Sequence, residues 1–215
     1  MSKNKTSVNL DGLFKQNIVL MSGIVTAPVI VAATSGERAT VLVLSFFLMS
    51  YTSILLCRFI PKKIVYTVRT MLYAAVAAVM FIPTVLLLEI WFPEATKDVI
   101  IYIELLTVNS LLLAKTEGRF YLKPYGEMAV DALIYIIGYA IAAFMVGIIR
   151  ELLAFGTFFG MHCFEPLMPA AKSPFFGFFL VGLLAAVCRV ISGKRVSAKQ
   201  RAADAPSDKR REGAQ

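Results

Sequence analysis

The chain predicts an all-α, polytopic membrane protein whose six transmembrane spans form a 3+3 inverted repeat. Three observations carry that expectation: recurrent apolar runs, an uneven partition of basic residues between them, and a correspondence between two short spans. Of 215 residues, 58% are hydrophobic and only 17% charged, with a mean hydropathy of +0.73. That balance lies well outside the range of a soluble globular domain. The apolar runs fall at 18–34, 38–60, 66–92, 99–114, 128–150 and 174–192. Their lengths lie around the ~20 residues that cross a bilayer as helix, two of them clearly below it.

The basic residues test this reading, because Lys and Arg near span ends are retained on the cytoplasmic side. With the amino terminus inside, the inner segments hold Lys3, Lys5 and Lys15, then Arg58, Lys62, Lys63 and Arg69, then Lys115, Arg119 and Lys123, and a last group from Arg189 to Arg211. The outer loops hold only Arg38, Lys97, Arg150 and Lys172. Six spans with both termini cytoplasmic satisfy this alternation. The net charge of +8 is therefore topological and does not call for a nucleic-acid partner. The expected organisation is a cytoplasmic amino-terminal segment over 1–17, a six-span membrane domain over 18–192 and a basic tail over 193–215. That tail has no apolar face and is expected to be disordered beside anionic headgroups. VAATSG near Ala33 has the small residues of a signal-peptidase site, but a long polar stretch precedes the run and five more apolar segments follow, so it is read as a span.

Spans one and four have only about 16 strongly apolar residues each, roughly 24 Å of helix against a hydrocarbon core of ~30 Å. Span one carries Gly23, Thr26 and Pro28, and proline removes a backbone donor and clashes with the preceding turn. A break near Ala27 is expected. An offset of 83 residues pairs Ile18 with Ile101, Val25 with Val108, Thr26 with Asn109 and Ala27 with Ser110. Each short span opens a group of three, the pattern of inverted repeats whose interrupted helices meet at the membrane midplane. Span four also places Glu104, Thr107, Asn109 and Ser110 in the membrane. Glu104, Asn109 and Ser110 point in widely separated directions around a helix, so no single face hides them. Two readings follow for Glu104, Thr107 and Asn109: they line a polar pathway, or they bond to neighbouring helices.

LTVNSLLLAKTEGRF, GIIRELLAFGTFFG and SPFFGFFLVGLLAAV, with the amino-terminal GLFKQNIVLMSG, resemble in order and spacing the integral membrane subunits of the Rnf/Nqr family, most closely the RnfE and NqrD branch. The matching positions are Val108, Asn109, Ser110 and Glu117, then Arg150, Glu151, Gly156 and Thr157, and the resemblance covers most of residues 12–192. It implies a subunit of a bacterial inner-membrane complex that couples electron transfer to Na⁺ or H⁺ translocation, paired with an oppositely oriented homologous subunit. It also implies a [2Fe–2S] cluster at the midplane, with one cysteine from each broken helix of each partner. At those positions this chain has Ala27 and Ser110. Alanine cannot ligate iron, and serine replaces thiolate poorly, so no cofactor is expected on this chain alone.

The remaining cysteines do not stand in. Cys57 and Cys188 each precede an arginine at an expected cytoplasmic span end, Cys163 lies in an outer loop, and no CxxC spacing occurs. They read as small buried apolar side chains. His162 beside Cys163 supplies too few ligands for a metal site. Three roles stay open: a divergent subunit of an Rnf/Nqr-type complex, a cluster-free paralogue acting as a small-solute or ion transporter or channel, and an assembly subunit without a site of its own. No nucleotide-binding glycine motif, flavin attachment pattern or nucleophile–base pair is present, so no catalytic chemistry is expected from this chain. Arg150 and Glu151, at the expected outer end of span five, read as a structural ion pair, mutual or between subunits, of a kind worth ~1 kcal/mol or less when exposed. The Phe-, Gly- and Pro-rich loop that follows is apolar enough to lie along the membrane surface or against a partner.

Overall fold

The computed structural model describes residues 19–20, 25–61, 63–107 and 124–204, with side chains through 190. Helix α1 is Thr26–Ala32. Helix α2, Gly36–Cys57, is α-helical over Gly36–Phe46, widens to a π-helical turn at Phe47–Tyr51 and returns to α over Thr52–Cys57. Helix α3 is Tyr66–Trp91 and α4 is Pro93–Leu105. Helix α5 is Tyr125–Phe155, the strands β1 Thr157–Phe158 and β2 Met161–His162 follow, and α6 runs Pro174–Asp204 after a short 3₁₀ turn at Pro169–Lys172.

Three of these helices, α2, α3 and α5, are long and apolar enough to cross a membrane, and Pro174–Val190 is a shorter apolar stretch of α6. This makes the chain an all-helical membrane protein, with one small hairpin among the described residues. Three boundaries differ from the sequence reading. Helix α4 starts at Pro93, whose missing N–H suits the first helical position, and stops at Leu105 rather than running through 99–114. Helix α5 extends past residue 150 to Phe155, because the helical run is ended by Gly156, a left-handed residue (φ 65°), and not by the charges before it. Helix α6 continues beyond Gly193 into the basic segment as far as Asp204.

α2 is the centre of the bundle, packed against α5, α4 and α3. Its Val41, Leu42, Phe46 and Met49 meet Tyr139, Ala142, Ala143 and Val146 of α5 in one continuous core, with the Phe46 and Tyr139 rings stacked at 4.1 Å. α3 is apolar around its whole circumference and exposes Met71, Val79, Ile82, Leu86 and Ile90. Such a helix suits hydrocarbon on its outer side, and exposed Tyr66 and Trp91 at its two ends suit the headgroup levels. Of the cysteines, only Cys57 is buried as expected; Cys188 is half-buried and Cys163 exposed.

One end of the bundle gathers the α1–α2 turn, the start of α4 and the hairpin. The hairpin pairs Thr157 with His162 and Phe158 with Met161, and its two turn residues, Phe159 (φ 49°) and Gly160 (φ 79°), are both left-handed, as a tight two-residue hairpin requires. The opposite end holds the α2–α3 connection and the start of α5, where Phe59 meets Tyr125. Two glycines set how closely the helices approach at the hairpin end. A Cβ on Gly147 would lie 2.8 Å from the Ala39 Cβ and 3.0 Å from the Ser35 carbonyl, and one on Gly177 would lie 2.3 Å from the Ile30 carbonyl. A Cβ on Gly182, further along α6, would meet nothing.

Gly177 and Gly182 thus make a matched pair of tests. Gly177→Ala should lower stability by ~1–3 kcal/mol through overpacking against backbone, whereas Gly182→Ala should raise it by ~0.5–1 kcal/mol through helix propensity. Thermal unfolding of both variants in one detergent checks this, and equal shifts would contradict the α1–α6 contact.

Candidate functional site at the interrupted first span

The two short spans contribute one helix each: α1 lies wholly within the sequence of span one, and α4 ends inside that of span four. In span one, Val25 adopts a left-handed conformation (φ 58°, ψ 33°), which is strained for a β-branched residue. Helix α1 begins immediately after it. Pro28 then falls in the first turn, where its missing N–H has no intrahelical partner to lose. Helix α1 thus begins just after Val25, one residue before Ala27, and Ala27 is exposed on its first turn.

At seven residues, α1 is far shorter than the ~12–15 that give even marginal helicity in isolation. Its far end is held by Arg150. Nη1 donates to the Ile30 carbonyl at 2.7 Å and the Ala33 carbonyl at 3.2 Å, Nε to Ala171 at 3.1 Å, and Nη2 to Lys172 at 3.0 Å and Ser173 at 3.3 Å. A guanidinium has five N–H groups, and these five contacts use them all. The side chain is fully buried. Its charge sits against the carbonyl end of α1, where the helix dipole favours a cation.

The next residue grips the other side of the same chain reversal. Glu151, also buried, accepts from the Gly36 N–H at 2.6 Å through Oε2, and from the Gly160 N–H at 2.9 Å and the Thr157 hydroxyl at 3.1 Å through Oε1. Gly36 is the first residue of α2, so the carboxylate lies at that helix's positive end. Arg150 and Glu151 do not pair with each other. The expected exposed ion pair is instead two buried charges on consecutive residues, each bonded largely to backbone. The reason is that α5 continues past them and the hairpin and the Pro169–Lys172 turn fold back over them. Sequence reasoning missed the partners, since carbonyls and N–H groups carry no side-chain signature. The one available signal was a lone basic residue within the apolar stretch of α5.

Arg38 links the two short spans at this end. It donates to the Thr34 hydroxyl at 2.6 Å and forms an ion pair with Asp98 of α4. Beside this pair is a cleft of about 210 Å³ lined by Ser35, Glu37, Glu94, Ala95 and Phe155 with Arg38 and Asp98. At the other end of α4, Glu104 is exposed and Thr107 half-buried, with the Thr107 N–H donating to the Glu104 carbonyl at 3.0 Å in a tightened last turn. α1 and α4 pack against each other. Asn109 and Ser110 lie outside the described residues.

Fold and site together define a polytopic helical membrane protein in which a short helix, begun partway along an apolar segment, is clamped by buried charges. The family model described as Rnf-Nqr subunit, membrane protein, matches residues 6–185, and the chain belongs to that family. It is 24% identical over 197 residues to the NqrD subunit of the Na⁺-translocating NADH-quinone reductase of Yersinia enterocolitica, covering 85% of this chain and 91% of that one. The corresponding NqrD of Serratia proteamaculans is 25% identical over the same length. The RnfE subunit of the ion-translocating oxidoreductase complex of Rhodobacter capsulatus is 25% identical over 218 residues, covering 93% of this chain and 89% of that one.

Removing the guanidinium leaves five backbone carbonyls to be satisfied elsewhere. Arg150→Met should cost ~3–5 kcal/mol, the range for breaking a buried charged site, and Arg150→Lys should recover only part of it, because an ammonium has three donors and no planar fork. Fluorescence-detected size exclusion with heating measures this. A wild-type midpoint for Arg150→Met would show that α1 does not depend on the clamp.

Proposed function

We propose that this chain is a membrane subunit of an Rnf/Nqr-type ion-translocating electron transport complex, in which electron transfer is coupled to movement of Na⁺ or H⁺. The observation that carries the reading is the family match across 6–185, with relatives from both the reductase and the oxidoreductase complexes aligned over about nine-tenths of their length. In this reading α1–α3 and α4–α6 form the two inverted halves of a six-span domain. The inward ends of α1 and α4, at Ala27 and at Glu104–Thr107 with Asn109 and Ser110 beyond, face the midplane as packing or pathway groups. The distribution of Lys and Arg supports a bacterial inner-membrane location with both termini cytoplasmic. The partners are the other subunits of the complex, foremost an oppositely oriented homologue, within the lipid bilayer.

The chain's own residues do not fit a four-thiolate cluster. The Ala27 methyl has no donor atom. Cys57 is packed into the core at the end of α2, while exposed Cys163 follows the hairpin at the opposite end of the bundle. Among the described residues, no three His, Cys, Asp or Glu side chains are placed to hold a metal ion. The role assigned here is therefore structural and ion-path-forming, with redox groups held by other subunits.

Purification in mild detergent with iron measured on the same sample tests this reading. The expected result is an intact complex containing a homologous membrane subunit, with no iron retained when this chain is isolated from it. A lone, iron-free protein that moves solute in proteoliposomes would favour a free-standing transporter instead. Alkaline phosphatase fusions provide the topology test: activity is expected after residues near 35, 95 and 165 and none after the carboxyl terminus.

A further inference from the structure

The segment between the hairpin and α6 turns back along the bundle instead of projecting beyond it. The Met168 N–H donates to the Leu153 carbonyl at 2.8 Å, and the Arg150 guanidinium holds the carbonyls of Ala171, Lys172 and Ser173. Residues 168–173 therefore lie beside the last turns of α5, a helix long and apolar enough to cross the membrane. The apolar stretch of α6 that follows, Pro174–Val190, is roughly 25 Å long at 1.5 Å per residue. That is short of the ~30 Å hydrocarbon core. Arg189 and Lys194 close the stretch at its far end, so the shortfall lies at the hairpin end, where 167–173 run.

Irregular backbone persists at such a depth only where the protein satisfies its polar groups. Besides the contacts just given, the Ala171 N–H donates to the Met168 carbonyl at 2.9 Å and the Ser173 N–H to the Ala170 carbonyl at 3.0 Å. Pro166, Pro169 and Pro174 have no N–H to satisfy. The side chains left uncovered here are apolar: Leu167 is 74% and Phe175 82% exposed, and Met168, Phe178 and Phe179 are exposed as well. Between Glu151 and Arg189 only Glu165 and Lys172 are charged.

The direction of Lys172 indicates what covers them. Its carbonyl accepts from Arg150 at 3.0 Å, yet its ammonium stands over the Phe155 ring, 5.8 Å from the centroid. Phe155 is the last residue of α5, roughly 7 Å beyond Arg150 along the helix. The stem thus climbs toward the end of the bundle, as a lysine does when it snorkels out of hydrocarbon. We propose that 167–175 forms a phospholipid seat: acyl chains of the leaflet at the hairpin end cover Leu167, Met168 and Phe175, and a headgroup phosphate binds the Lys172 ammonium. An ammonium at the rim with apolar side chains below it matches the order in which a phospholipid presents its phosphate and its chains. The seat depends neither on the proposed role in electron transport nor on which face of the membrane the hairpin occupies.

Leu167→Trp in a Trp91→Phe background, with the full-length chain and any companions reconstituted in lipid vesicles, tests the seat. The new tryptophan should emit at shorter wavelength than in water, lose most of its intensity when the lipid chains carry bromine near the headgroup, and lose little to aqueous iodide. Quenching by iodide instead would place the segment in water, and protection from both quenchers would place it against a protein subunit; either result overturns the proposal. Native mass spectrometry from mild detergent reads the phosphate contact separately. Lys172→Glu should lose a retained phospholipid that Lys172→Arg keeps, and both variants should fold, because Arg150 holds only the backbone carbonyl of that residue. Equal phospholipid retention in the two variants would overturn the headgroup contact.

Discussion

The fold depends on how two adjacent charges on α5 are desolvated. A helix of seven residues ending inside an apolar bundle leaves carbonyls that water cannot reach, and each unsatisfied group there costs several kcal/mol. Arg150 meets that demand for α1 and, with the same guanidinium, ties down the segment Ala171–Ser173 that leads into α6. Glu151 does the complementary work at the first N–H of α2 and at the hairpin turn. A chain reversal between two helices is thus held from both sides by neighbouring residues of a third. The charges are stabilised by oriented dipoles rather than by each other, which lets them be buried without forming an ion pair.

The glycines belong to the same construction. Gly177 lets α6 approach the Ile30 carbonyl that Arg150 also uses, and the Gly36 position leaves room for the Phe159 ring, which a Cβ would meet at 3.0 Å. At Gly156 the left-handed turn brings the chain so close to the Phe164 carbonyl that a Cβ would stand 1.9 Å from it. Small residues and backbone contacts here replace the bulky apolar interdigitation seen between α2 and α5. One end of the bundle is therefore polar and tightly bonded.

Much of the architecture was legible because it follows from local chemistry. Hydropathy marks α2, α3 and α5, since burial of apolar surface depends on side chains that the sequence states outright. Pro28 marks the start of α1 to within a few residues, because proline acts on the nearest turn of the chain. The ends of α4 and α5 were read less well. Pro93 and Gly156 set them, yet the reading followed the charges at Asp98, Arg150 and Glu151, which in a membrane protein are taken for span ends although a helix can continue through them if its neighbours supply partners.

The primary structure, then, fixes the class of protein, the partition of its basic residues, the neighbourhood in which helix α1 begins and the absence of cysteine at Ala27 and Ser110. These are properties of residues taken singly or in short runs. Tertiary packing alone decides what Arg150 and Glu151 bond and that α1 and α4 lie together. The physical reason is that the partners are backbone groups distant in the chain: every residue carries the same carbonyl and almost every one the same N–H, so only the folded arrangement selects which of them meets a buried charge.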